Sequence, residues 1–272
     1  MEVLNLIRID RFAKRGENRP VFAVAENSAG ELIEILLKPS GLVALGIKAL
    51  AVEWTLANLG GDLSLRICEP FLVRLDKTII SEVSDEDWAK RVLAGNQIAF
   101  GSRVAGSEDG EMGLEQWSSA YTPVGPMLNQ AWHAAAFDVW TDNIDRHPGN
   151  ANCLVRGNDF WLIDHEKCFT TLSGIPMLGV KQLKPWEIGG ASHILTPQRH
   201  IFWQQLKSKR MPRAAIKDAW LGLSATHLQH YGNSIPPEWA DAKPVVDKIV
   251  SAIDDIKSNI DGCLNELERC LS

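Results

Sequence analysis

The chain has 272 residues, 45% of them hydrophobic and 23% charged, which excludes the fibrous, low-complexity and disordered classes. Its 28 Lys and Arg against 34 Asp and Glu leave a formal charge of −6 with no basic block, so direct nucleic-acid binding is not expected. The longest uncharged stretch, 116–137, holds Pro123, Pro126 and several amides, which argues against a membrane span, and the five scattered cysteines form no CxxC pair, as in a reducing cytoplasm.

The N-terminal run to Gly16 carries charge within two residues and reads as a strand rather than a signal peptide. From Pro20 to Lys38 two β-rich runs flank Asn27-Ser28-Ala29-Gly30, which is turn chemistry, and the second run ends on Lys38. The period then changes: Leu45, Ala49, Val52, Leu56 and Leu59 share a helical face, Glu53 sits beside it, and Gly60-Gly61 supplies a stop. An extended run follows from Leu63 to Leu75, broken at Pro70. Residues 1–80 are therefore expected to form a small β-rich lobe with one helix, and 81–272 a larger, mostly helical one, an α+β architecture in two lobes.

In the second part, Ser84 to Asp87 resembles a capping box and starts a helix, and Gly101 to Gly113 reads as a surface loop. Pro126 opens a helix whose face is Leu128, Trp132, Ala135 and Val139, and this helix delivers the loop Thr141 to Asn152. Two short apolar strands then surround Gly157-Asn158, and the second ends at Asp164. The C-terminal stripe from Val246 through Ile249, Ile253, Ile256, Ile260, Cys263 and Leu267 to Cys270 predicts a helix that packs on its own domain.

The loop and the strand end hold the chemistry. Asp142-Asn143-Ile144-Asp145-Arg146-His147-Pro148-Gly149-Asn150 precedes the hairpin, and Trp161-Leu162-Ile163-Asp164-His165-Glu166 follows it. Phosphoryl transfer needs a carboxylate to orient and deprotonate a hydroxyl, an amide oxygen to hold a metal, and a second carboxylate for that metal. Asp145, Asn150 and Asp164 fill those places, and such oxygen ligands suit Mg2+. Upstream, Lys38 offers a point charge for phosphates and Glu53 can pair with it. A zinc arrangement of His147 and His165 with Asp145 and Asp164 is the competing reading, but no third imidazole or thiolate has ligand spacing nearby.

These segments resemble the catalytic core of the HipA-like kinases, in particular the shorter branch without the extra N-terminal domain. The DRHxxN loop is also similar to that of phosphatidylinositol 3/4-kinases. The likeness spans roughly residues 20–170 and includes Cys68-Glu69-Pro70-Phe71, Ala99-Phe100-Gly101-Ser102-Arg103 and Ala136-Phe137-Asp138. It implies a protein-kinase-like bilobal fold that uses ATP and Mg2+ to phosphorylate a Ser or Thr hydroxyl of a protein. Residue by residue, it makes Asp145 the catalytic base, Asn150 and Asp164 the metal ligands, Lys38 the phosphate lysine and Glu53 its partner. It further implies the toxin of a toxin–antitoxin or similar pair, restrained by a small regulatory protein.

Three departures bear on that transfer. No GxGxxG covers the phosphates, so ATP binding is assigned to Lys38, to the backbone amides of Ser28, Ala29 and Gly30, and to His147, which also orders its loop. Glu166 stands where the family usually has glycine, and the passage 101–113 matches no motif. The alternative class is a nucleotide-binding pseudokinase that acts through a partner surface, and transfer of AMP rather than phosphate is a third reading.

Overall fold

The computed structural model describes residues 2–14, 18–105, 114–169 and 184–272. Five strands, β1 (Val3–Phe12), β2 (Val21–Glu26), β3 (Leu32–Lys38), β4 (Pro70–Arg74) and β5 (Ile98–Arg103), close a barrel in the order β1-β2-β3-β5-β4. All pairs are antiparallel except β1 with β4, a parallel contact that completes the closure. The fifth strand comes from beyond residue 80, so the β-rich part reaches Arg103 and the first residues of the expected 101–113 loop are strand; residues 106–113 lie outside the described ones. Alternation along β3 turns Ile33, Ile35 and Leu37 into the barrel against Leu4, Leu6, Val21, Ala23 and Val73.

Helix α1 (Ile47–Asp62) is the axis of the molecule. The sequence predicts a single apolar face, yet most of the helix is buried. Val52, Leu56 and Leu59 join the large helical core, while Ala49, Leu50 and Trp54 pack with Leu72, Phe100, Trp239 and Val246. A helix apolar nearly all round belongs inside a protein rather than on it. Nor do Gly60 and Gly61 stop it. A Cβ on Gly60 would lie 2.6 Å from the Ile67 side chain, so glycine serves close approach there, and the chain turns at Ser64 with φ 58°.

Short helix α2 (Lys77–Ser81) and α3 (Glu86–Ala94) cap the barrel on one side. The α3 cap is Asp85, accepting from the Trp88 amide at 2.9 Å, one residue later than the expected Ser84 box. Helix α3 presses on the 3-10 turn Ser40–Leu42 that follows Lys38. A Cβ on Gly41 would fall 1.9 Å from the Arg91 carbonyl oxygen, and backbone cannot swing aside as a side chain can. Gly41→Ala is expected to cost the upper part of the roughly 1–3 kcal/mol typical of overpacking, read as a lowered urea midpoint at unchanged slope.

Pro126 does open α4 (Gly125–Trp140), whose run of alanines lets neighbouring elements approach closely. The hairpin is β7 (Cys153–Arg156) and β8 (Asp159–Leu162) around Gly157-Asn158, joined by the short β6 (Glu115–Gln116). Helices α5 (Trp203–Leu206), α6 (Arg213–Leu221), α7 (Ala225–Asn233), α8 (Lys243–Ser258) and α9 (Ile260–Leu271) complete the described chain. The predicted C-terminal helix is thus two, broken at Asn259, but its stripe is internal as expected. Trp140, the last residue of α4, is 2% exposed and packs edge-on against Trp220 at 4.9 Å. Among the described residues no helix is long and apolar enough to cross a membrane.

Candidate active site

Strand β3 delivers Lys38 and helix α1 delivers Glu53 to one point, where the Lys38 Nζ lies 3.2 Å from the Glu53 carboxylate. Lys38 also reaches Asp164 at 2.9 Å and Glu166 at 3.7 Å. Asp164 follows β8 with φ 61°, a left-handed conformation that Asp tolerates better than most residues. Because the chain reverses there, the next residues share the site in turn. The His165 amide donates to Glu53 at 2.9 Å, and the Lys167 Nζ lies 3.2 Å from Asp145. Segment 164–167 therefore ties the Lys38 cluster to the DRHxxN loop.

Burial opposes charge on Lys38, but the carboxylates of Asp164, Glu53 and Glu166 outweigh it and raise its pKa above an ordinary lysine. Burial pushes the Glu53 carboxyl up to about 7 against the pull of Lys38. Asp164, although buried, is carried below the usual carboxylate range by the Lys38 ammonium. The cluster thus keeps a charged lysine and an ionised Asp164 side by side.

In the loop, Asp145 accepts from the amide nitrogens of Asn150 and Asn152, each at 3.0 Å, and its backbone amide donates to the Asn143 side-chain oxygen at 3.1 Å. These bonds fix one carboxylate oxygen and leave the other to Lys167. Asn150 turns its nitrogen to Asp145, so its side-chain oxygen is the atom it could offer a metal. The His147 ring accepts from the Gly149 amide at 3.2 Å, and the backbones of His147 and Asn150 bond each other at 3.1 and 2.8 Å. His147 therefore orders its own turn.

Beneath the loop lies a network that the sequence alone does not reveal. Asp138 on α4 accepts from Arg146 Nε at 2.8 Å and from the Asn143 amide at 2.7 Å, and it faces His200 Nε2 at 3.1 Å. Arg146 also donates to the carbonyls of Asn152 and Ile163 and faces His165 Nδ1 at 3.4 Å. The Arg146 and Asp138 side chains are both 0% exposed. Burial and the neighbouring Arg146 guanidinium push the pKa of His165 down to about 3, so its imidazole is neutral and wedged edge-on against Phe137. Arg146 stood within the motif, but only its burial identifies it as a support rather than a surface charge. Among the described residues the one group of potential metal-ligating side chains, Glu53, Asp164 and Glu166, holds no histidine, so the zinc arrangement is not formed.

The turn assigned to nucleotide gripping is placed elsewhere. Strand register pairs Phe12 with Val21 and Val21 with Leu37, so the β1–β2 connection, not the β2–β3 turn, lies at the Lys38 end of the sheet. Ser28, Ala29 and Gly30 sit at the opposite end of β3, about 25 Å away along an extended strand. Their amides are also engaged: Ser28 donates to Glu2 at 2.8 Å, Ala29 to the Asn27 side chain at 3.0 Å, and Gly30 to the Asn27 carbonyl at 3.1 Å. From the β1–β2 connection, Asn18 does reach the site and donates to Glu166 at 2.6 Å.

A model of the HipA-like kinase family matches residues 40–267. Among solved structures the chain is similar to the crystal structure of a Helicobacter pylori proinflammatory kinase, CtkA, with 13% identity, 97% of each chain covered and a TM-score of 0.50. No curated protein sequence matches. Since the family match takes in helix α1, the DRHxxN loop, Asp164 and nearly all of the helical remainder, the chain belongs to the HipA-like kinase family.

Proposed function

We propose that this protein transfers the γ-phosphoryl group of ATP to a Ser or Thr hydroxyl of a protein substrate with the help of Mg2+. The observation that carries the reading is the convergence on one buried ammonium. Lys38, from a strand, holds Glu53 of α1 and Asp164 after β8 together, and the same short segment brings Lys167 to Asp145. This is the arrangement that kinase chemistry requires of a phosphate lysine, its positioning glutamate, a metal aspartate and a base.

In that chemistry the substrate oxygen attacks the γ-phosphorus, the bond to the bridging oxygen of ADP breaks, and Asp145 accepts the hydroxyl proton. Asn150 and Asn152 hold Asp145 in place, while Lys38 supplies positive charge to the phosphates and is itself fixed by Glu53. Lys167 offers a second cation beside the base. Asn150 and Asp164 present oxygen atoms of the kind Mg2+ takes, and the bound ion would neutralise charge on the transferred group. On this reading the barrel and α1 form the nucleotide lobe, bounded after β5 rather than at residue 80, and the helical remainder forms the catalytic lobe. Restraint by a small regulatory or antitoxin-like protein is part of the same proposal and rests on the family resemblance.

A thermal melt with and without Mg·ATP tests it. At a hundred times the dissociation constant, ligand adds about 2.7 kcal/mol, which for a chain of this size raises the midpoint by about 5–10 °C. Asp164→Ala is expected to lose most of that rise. Intact mass of the acceptor then separates a phosphate from an AMP adduct, and absence of any shift in wild type counts against the kinase reading.

A further inference from the structure

Glu166 is a carboxylate that the chemistry above does not require. Its side chain is 8% exposed; one oxygen accepts from Asn18 at 2.6 Å, whereas Oε2 has no hydrogen-bond partner among the described residues and lies 3.7 Å from Lys38 Nζ. One oxygen each from Glu53, Asp164 and Glu166 lies within 4.8 Å of the other two. The Lys38 ammonium faces all three, so the carboxylates outnumber the cation at their centre. A buried carboxylate oxygen without a donor is costly, and paired charges or a metal ion are the usual remedies. The donor set is all oxygen, which selects a hard divalent cation over zinc or copper.

We propose that Glu166 is a third protein ligand, and the second carboxylate, beside Asn150 and Asp164 for a divalent cation, so that this chain binds the ion before nucleotide arrives. Without Glu166 the ion would have one carboxylate and an amide, and would depend on nucleotide phosphates for most of its affinity. With Glu166 the protein itself would supply two carboxylates and an amide, enough to hold the ion without nucleotide, while Glu53 keeps its own pairing with Lys38. The inference rests on the metal role given to Asp164 under the kinase reading, but it concerns the nucleotide-free protein.

The experiment is titration of the nucleotide-free full chain with Mn2+, followed by loss of the free-ion electron paramagnetic resonance signal, with phosphoryl transfer measured in parallel. Wild type is expected to show one saturable site. Glu166→Gln, nearly isosteric, should weaken it at least as much as the roughly 10- to 100-fold that loss of a supporting partner costs a metal site, and Glu166→Asp should fall between. Asn18→Ala removes only the neighbour of the other oxygen and should leave most of the affinity. Melting curves without metal establish that the variants are folded.

No saturable Mn2+ site in wild type, or equal affinity in folded Glu166→Gln, overturns the proposal. The latter is also what a neutral, protonated Glu166 would produce. Active phosphoryl transfer beside an indifferent Glu166→Gln would sink the third-ligand assignment while leaving the kinase reading intact. Loss of Mn2+ binding in Glu166→Gln beside no transfer by wild type would uphold the cation site and count against the kinase reading.

Discussion

Asp145→Asn is expected to lower phosphoryl transfer by about 10^2- to 10^4-fold, the usual contribution of a positioned general base, while the melting shift with Mg·ATP persists. The reason is local. Asp145 meets Asn150 and Asn152 through one oxygen at 3.0 Å each, and asparagine can keep those two bonds through its carbonyl. What it cannot do is accept a proton, and its amide nitrogen would face Lys167, which approaches the second oxygen at 3.2 Å. Lys167 is partly exposed, so that lost pairing should cost no more than about 1 kcal/mol. Incorporation of labelled phosphate and the melt, run on one preparation, separate the two effects. Full transfer by the variant would remove Asp145 from the base role, and an unchanged biological effect without transfer would favour the partner-binding module.

Arg146→Ala should instead act on stability. The guanidinium bonds Asp138 at 2.8 Å, the carbonyls of Asn152 and Ile163, and faces the His165 ring, all out of solvent. Truncation leaves the Asp138 carboxylate buried with only Asn143 and His200, and removes a donor from two carbonyls that flank the hairpin, of which that of Asn152 keeps the Ile163 amide at 3.0 Å. Breaking a buried pair from one side costs about 3–5 kcal/mol, which corresponds to roughly 6–20 °C in the midpoint for a chain of this size. Arg146→Lys keeps the charge without the fork and should recover only part of the loss. A variant melting within about 2 °C of wild type would mean that the network contributes little. Because Arg146 supports both the base loop and the residue before Asp164, a folded Arg146→Lys protein should also lose transfer.

Much of the candidate site was legible from local pattern. Asp145, Asn150 and Asp164 are separated by a two-residue hairpin turn, and such turns bring their flanks together whatever surrounds them. Lys38 ends a β-run and Glu53 sits within the next helix, so their pairing needs only that one element pack on the other, which the apolar periodicity demands. The α4 start at Pro126 and the internal C-terminal stripe were likewise written in spacing. The misreadings arose where a residue serves a distant neighbour. Gly60 accommodates Ile67 rather than a helix end, and the Ser28 amide serves Glu2 rather than a phosphate.

The sequence by itself determined most element types and the order of the candidate site residues, because each follows from interactions within a few residues along the chain. Only the tertiary structure decided which connection lies beside Lys38, since that depends on strand register: Phe12 opposite Val21 and Val21 opposite Leu37 put the β1–β2 connection there and send Ser28–Gly30 to the far end. It likewise decided the barrel's closure by the parallel β1–β4 pair, the burial of Arg146 on Asp138, and the meeting of Asn18 with Glu166 across 148 positions. Such contacts are selected by the packing of whole elements, and no local period carries their signal.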